Sequence, residues 1–331
     1  MKITAKTLTK WSVCLVMGGL ISLSTYAQNY RIGSMPIGSG WYVAAAALKN
    51  VIEAEIDGAN VEIIARGGGV ANPMVVQNGR ADIALSNVTT SLWASQGQLL
   101  YQGQEATDIR SLVGGLNPVY IGAIVRNRYL SEHGFTTLKE ILESDKPVNI
   151  MMKPPGSNIP PAVDLILEAH GTSRSDIEQR GGRIIQIDSS QMSSMMRDGR
   201  ADLFFDTILR GHPTIQEISL TADVSFIDLS VEASEKLSAN GLRRGEIPQW
   251  FDAQTQPTLG ADFGTHLITH KDMADEEAYR ITKAVVERME ALASEYPAWN
   301  AFILENAAKP ETNGIPLHPG AERYYKEIGL M

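Results

Sequence analysis

The sequence predicts an α/β protein of two similar lobes, each a mostly parallel sheet flanked by helices, with a ligand cleft between them. Three observations predict it. Strand-like and helix-like runs alternate along the chain, the pattern of parallel sheets. An octet recurs: Asn78-Gly79-Arg80-Ala81-Asp82-Ile83-Ala84-Leu85 and Asp198-Gly199-Arg200-Ala201-Asp202-Leu203-Phe204-Phe205 lie 120 positions apart and agree in chemical type nearly throughout. The segments ahead of each octet also follow one order: strand, Gly-Ser loop, helix, strand, small-residue loop, helix. Each octet reads as a helix stop followed by a strand, with Gly79 and Gly199 where a helix end favours positive φ. Asp82 and Asp202 are expected to bond backbone N–H groups within these turns.

Tyr30–Ser34 is the first strand. Gly38-Ser39-Gly40 then opens a helix whose apolar stripe is Trp41, Ala44, Ala45, Leu48, Val51 and Ile52. A helix start behind such a loop offers N–H groups and a positive dipole end, which suits a carboxylate. Val61–Ala65 is the second strand, followed by Arg66-Gly67-Gly68-Gly69-Val70-Ala71-Asn72. Three consecutive glycines cost backbone entropy, and close approach to a ligand would justify them. Ile83–Leu85 is the third strand, with Ser86-Asn87 at its C-terminal end. All three loops lie beyond strand C-termini, where open α/β sheets bind ligands.

Thr90–Tyr101 reads as a helix, and Arg110–Arg126 as a long strand broken at Gly114-Gly115 and Asn117-Pro118, able to carry the chain between lobes. After a short helix at Thr137–Glu143 the second copy begins: strand Val148–Met152, loop Lys153–Ser157, and helix Pro160–His170 with prolines in its first turn. Strand Arg183–Ile187, helix Gln191–Arg197 and strand Leu203–Phe205 complete it. A helix at Pro213–Leu220 and a strand at Val224–Leu229 follow, and Val231–Gln256 is polar and poorly periodic. Gly264–Thr269 reads as a strand returning to the first lobe, Ala274–Glu295 as one amphipathic helix, and Glu322–Ile328 as a short terminal helix. The expected division is 28–117 plus 262–331 for one lobe and 118–261 for the other.

The 331 residues are 44% hydrophobic and 20% charged, an ordinary globular balance. The formal charge of −9 and the lack of a basic stretch exclude nucleic acid as a natural partner. Residues 1–27 read as a cleaved secretory signal: Lys2, Lys6 and Lys10, then apolar Trp11–Leu23, then Thr25-Tyr26-Ala27. Its removal takes three positive charges from −9, which leaves −12. Cys14, the single cysteine, goes with it. The expected product is a soluble periplasmic monomer without disulfides, metal or cofactor.

Catalytic motifs are weak. Neither Ser39 nor Ser157 sits in a Gly-x-Ser-x-Gly elbow, although Asp206, His212 and His318 leave a periplasmic serine hydrolase as an alternative. His266 and His270 have no third ligand nearby in sequence, and no phosphate-binding loop is present. Arg66, Arg126 and Arg210 lie in or beside the cleft loops, and an arginine fork pairs both oxygens of a carboxylate. Arg80 and Arg200, in the helix-to-strand turns, read as structural. Trp41 is the aromatic best placed to cover a ligand.

The mature chain resembles the TAXI group of TRAP-transporter solute-binding proteins. The resemblance rests on Ile32-Gly33-Ser34, Gly38-Ser39-Gly40-Trp41-Tyr42, Gly68-Gly69-Val70-Ala71-Asn72 and the first octet. It continues through Pro155-Gly156-Ser157, the second octet and Leu317-His318-Pro319-Gly320-Ala321. It implies a type II periplasmic binding protein that holds a small carboxylate between its lobes and delivers it to a sodium-driven TRAP permease, without catalysis. Matching positions carry over as ligand contacts: Ser39, Gly40, Trp41, Tyr42, Asn72, Ser86 and Asn87 from one lobe, Gly156, Ser157, Asn158, Asp206 and Thr207 from the other. The chain departs from the family at Gly38-Ser39-Gly40-Trp41-Tyr42, where members show a threonine and paired tyrosines. It departs again at Gly69-Val70, where they carry a hydroxyl residue. A ligand-sensing subunit for a membrane receptor is the remaining alternative.

Overall fold

The computed structural model describes residues 28–37 and 39–331. The expected signal segment and Gly38 lie outside the described residues. The first half alternates strictly: β1 (Gln28–Gly33), α1 (Gly40–Glu55), β2 (Ala59–Ile64), α2 (Ala71–Gln77), β3 (Ile83–Ser86) and α3 (Val88–Ser95). Strands β4 (Ile109–Val113) and β5 (Tyr120–Arg126) then carry the chain across, and α4 (Asn127–His133) and α5 (Leu138–Glu143) follow. The second copy is β6 (Asn149–Met152), α6 (Ile159–Ala169), α7 (Arg174–Gln179), β7 (Arg183–Gln186), α8 (Ser189–Arg197) and β8 (Leu203–Ile208). Then come α9 (Pro213–Thr221), β9 (Val224–Ile227), α10 (Val231–Ala239), β10 (Arg243–Ile247), β11 (Thr258–Asp262) and β12 (His266–His270). Helices α11 (Asp275–Glu287), α12 (Met289–Glu295), α13 (Pro310–Asn313) and α14 (Pro319–Glu327) close the chain.

Two sheets result. The first has the order β2-β1-β3-β12-β4; the second runs β10-β11-β5-β8-β6-β7, with β9 also on β5. Most strands in each sheet share one direction, but β12 opposes both of its neighbours, and β5 opposes β8, β9 and β11. The sheets are therefore mixed, because each receives a strand that arrives from the other sheet. Apolar clusters fill the two halves: Ile32, Leu48, Ile83 and Trp299 belong to one, Met151, Phe204, Ile215 and Phe251 to another, and a third, with Ala84, Trp93, Ile150 and Phe205, runs through both.

The two octets fold alike. Gly79 and Gly199 take φ of +62° and +70°. In each turn the glycine N–H and the following arginine N–H reach back to the last helical carbonyls, Val76 and Val75 in one, Met196 and Met195 in the other. The aspartates act differently from expectation. Asp82 Oδ2 accepts from the Arg31 N–H at 2.8 Å, and Asp202 Oδ2 from the Asn149 N–H at 2.9 Å. Each carboxylate thus clamps the adjacent strand rather than its own turn.

Other expectations need correction. The polar stretch 231–256 contains α10 and β10. That helix buries only Ala233, Ser234 and Leu237, and β10 is an edge strand, so neither needs a strong apolar pattern. The amphipathic run 274–295 is two helices that meet at Arg288. The last helix starts earlier, at Pro319, because His318 caps it: its Nδ1 accepts from the Gly320 N–H at 3.1 Å. Helices α4 and α7 were not expected at all.

Candidate functional site between the sheets

The chain passes between the sheets twice, at 114–119 and 263–265. At the second sheet both crossings attach side by side, with Tyr120 paired to Asp262. Tyr120 also opposes Ile208, at the C-terminal end of β8, and His266 opposes Ser86, at the C-terminal end of β3. Short crossings therefore face the C-terminal edge of one sheet toward that of the other. The loops beyond β1, β2, β3, β6 and β8 occupy this seam.

From the first sheet, Ser39 caps α1 by accepting from the Tyr42 N–H at 3.2 Å. Gly40 is exposed, and Trp41 and Tyr42 are half-buried. A Cβ placed on Gly69 would lie 2.3 Å from Asn87 Oδ1 and 3.6 Å from the Trp41 ring. The glycine thus lets the first, second and third loops converge on one point. Ser86 Oγ donates to Gly69 O at 3.4 Å, and the Thr90 hydroxyl donates there too. The first N–H groups of α3 are taken by the crossing segment: Val88 N–H bonds Gly264 O and Thr89 N–H bonds Phe263 O. That helix start is consequently not free to bind an anion.

The lobes meet at this point. Asn158 Nδ2 donates to Asn87 Oδ1 at 3.1 Å, and both residues are buried. Asn87 Nδ2 donates to Gly264 O at 2.9 Å. Nearby, Gly156 is exposed, and Ser157 Oγ donates to Pro154 O at 3.1 Å. Pro160 and Pro161 remove two donors from the first turn of α6. The cation on this side is Lys153, just past β6. Its Nζ lies 2.7 Å from Asp206 Oδ1 and donates to Thr207 Oγ1 at 2.8 Å. Asp206 is 1% exposed and its Oδ2 has no partner. His212 Nδ1 is also buried without a partner, and burial holds the His212 pKa below its usual value despite the attraction of Asp206.

Several expected contacts lie elsewhere. Arg126 ends β5, which runs against β8, so it sits beside the second octet: its Nη2 donates to Asp202 at 2.7 Å, and a Cβ on Gly199 would meet it at 2.3 Å. It is removed from the seam by strand direction. Asn72 is fully buried and spends its amide on backbone: Gly68 N–H, Leu85 O and Ser34 O. It pins three strand ends together instead of facing a ligand. Arg66 and Arg210 are exposed at the loop ends. Lys153 is the site residue that sequence reasoning passed over; Gly69 belongs to the glycine run read as allowing close approach, and Asn87 is what approaches it. Lys153 was detectable as a cation just past the C-terminal end of a strand, a position close to those of Arg66 and Arg210.

Neither close serine–histidine pair includes Ser39 or Ser157: Ser230, whose hydroxyl caps α10, lies 2.9 Å from His170, whose other ring nitrogen faces Glu143 at 3.1 Å, and Ser91 lies 2.8 Å from His266. Both residues of the second pair are fully buried, and the other ring nitrogen of His266 faces Ser111 at 3.4 Å rather than a carboxylate. Burial lowers the His266 pKa to about 3, so the ring is neutral. Among the described residues, no three metal-ligating side chains come together, and no helix is long and apolar enough to cross a membrane.

A family model, described as the NMT1-like family, matches residues 32–329. The chain belongs to the NMT1-like family. Solved structures share its architecture. A TctC solute binding protein from Polaromonas is 15% identical with a TM-score of 0.54, over 93% of this chain and 100% of that one. PhnD1 from Prochlorococcus marinus, solved with methylphosphonate, is 9% identical with a TM-score of 0.56, over 92% and 100%. The architecture is the two-lobed α/β fold that these solute-binding neighbours share.

Proposed function

We propose that the protein is an extracytoplasmic solute-binding protein that captures a small carboxylate in the seam and delivers it to a TRAP permease of the TAXI type. The observation that carries the reading is the Asn87–Asn158 hydrogen bond, which joins ligand-side loops of both sheets. Around it stand the start of α1 with Trp41 and Tyr42 on one side and Lys153 on the other. Two of the three Lys153 donors engage Asp206 and Thr207, which leaves one for a ligand carboxylate. The lobes are 28–117 with 262–331 and 118–261, and the signal segment 1–27 directs the chain to the periplasm. The TAXI assignment rests on the sequence motifs quoted above.

A thermal melt against glutamate, 2-oxoglutarate and other small dicarboxylates tests the reading. A ligand at about 100 times its Kd adds about 2.7 kcal/mol. At roughly 2–4 °C per kcal/mol, the midpoint rises by several degrees. A panel of carboxylates, keto acids and amino acids that leaves the midpoint unmoved would refute the carboxylate assignment.

A further inference from the structure

Chain ends are poorly ordered unless something ties them down. Gln28, the first residue of β1, is tied by backbone and side chain alike. Its N–H donates to Gly58 O, beside β2, at 3.0 Å. Its Oε1 accepts from the Tyr30 hydroxyl at 3.0 Å, and its Nε2 donates to Glu277 Oε1 at 3.1 Å. Tyr30 lies two residues on and so shares a face of the strand with Gln28. Glu277 sits in the first turn of α11. Only this orientation of the carboxamide serves both neighbours, because a carboxylate accepts and cannot donate. Tyr30 is 4% exposed, and burial together with the charge of Glu277 pushes its pKa up to about 12, so its hydroxyl keeps the proton it donates.

These bonds separate two groups that react with each other in an N-terminal glutamine. Residues 1–27 read as a cleaved signal, and cleavage there leaves Gln28 with a free α-amine. Ring closure requires the amine nitrogen and the side-chain carbonyl carbon to meet within near-attack distance. In the fold the nitrogen lies in the plane of the sheet and turns toward β2, while the side chain stands off that plane and reaches α11. A groove of about 340 Å³ opens beside Gln28, lined also by Asp82, His270 and Glu277. Crowding therefore does not bar the ring; the hydrogen bonds do.

We infer that Gln28 is a modification site gated by folding: the unfolded mature chain cyclises there to a lactam, and the folded chain is held against it. In the reaction the α-amine attacks Cδ, the Cδ–Nε2 bond breaks, and ammonia leaves with a proton taken from the amine. Neither an oxidant nor a co-reactant is consumed. The lactam has no Nε2 to offer Glu277, so a chain that cyclises before it folds lacks the link between β1 and α11. The inference rests on cleavage after Ala27 and is independent of the solute bound in the seam.

Intact-mass spectrometry of the mature protein tests it. The protein is kept folded, or unfolded in guanidinium chloride, at pH about 8, where much of an α-amine is neutral and nucleophilic. The loss of one ammonia is followed over days. The folded protein should lose it about 10-fold or more slowly than the unfolded chain, the factor expected from one hydrogen bond to a charged group. Glu277→Ala, while still folded by its melting curve, should recover about 10-fold in rate. Tyr30→Phe frees Oε1 alone and should recover less, because that bond joins neutral partners. A product that begins at a residue other than Gln28 would overturn the signal boundary and the inference together. A product that begins at Gln28 but is already cyclised as purified, cyclises as fast folded as unfolded, or responds to neither substitution would overturn the inference alone.

Discussion

The paired aspartates of the two octets give a graded stability prediction. Asp202→Ala removes an acceptor from the Asn149 N–H and the carboxylate that faces Arg126. Asp202 and Arg126 side chains are 8% and 19% exposed, and Arg126 Nε is already buried without a partner. A bond to a charged acceptor contributes about 1.5–3 kcal/mol. Stranding one member of a buried pair costs about 3–5 kcal/mol. Because Arg126 retains some contact with water, the expected loss is about 3 kcal/mol. Asp82→Ala removes the matching bond to the Arg31 N–H, but its ion pair is 31% and 40% exposed. Such a pair contributes under about 1 kcal/mol, so the loss there should be about half as large. Urea unfolding midpoints at constant m-value measure both. Neither change should alter ligand affinity of the folded protein, because both turns lie at the sheet edges remote from the seam. Equal losses, or an affinity change at unaltered stability, would refute the strand-clamp account.

Three further outcomes follow from the geometry. Gly69→Ala forces a methyl group to within 2.3 Å of Asn87 Oδ1 and so displaces Asn87 from Asn158; ligand affinity should fall about 10-fold by titration, and wild-type affinity would contradict the convergence of the loops. Lys153→Met removes the cation while keeping its length; affinity for a carboxylate should drop by about 10-fold or more, as expected for a charged hydrogen bond, and an unchanged Kd would exclude Lys153 from the site. His266, with its pKa held at about 3 by burial, stays neutral in the fold while the unfolded chain takes up a proton below about 6.5. Its contribution is complete above that pH and is lost on acidification toward 3. From pH 7 to pH 5 it should cost about 2 kcal/mol, and His266→Gln should flatten that part of the urea profile. A residual slope remains, because burial also lowers the His212 and His318 pKa values.

The alternation, the two-lobed fold and the loops at strand C-termini were legible because they depend on local period and on glycine placement. Gly79 and Gly199 end helices by backbone chemistry that a sequence displays directly. What depended on strand direction or distant pairing was not legible. Arg126 reads as a cleft residue until β5 is known to run against β8. Asp82 and Asp202 reach neighbouring strands whose register no local pattern gives. Asn72 has the composition of a ligand contact and the surroundings of a core bracket. Asn87 and Asn158 are 71 residues apart, and only the fold brings them together. β10 reads as loop because Arg243-Arg244-Gly245-Glu246 is an exposed edge with no apolar alternation.

The most direct measurement is native mass spectrometry of the protein as purified, followed by titration of the released solute into wild type and Asn158→Ala. The account predicts one small carboxylate per chain and an affinity that falls about 10-fold when the Asn87–Asn158 link is cut. A solute without a carboxylate, or one bound equally well by Asn158→Ala, would contradict it.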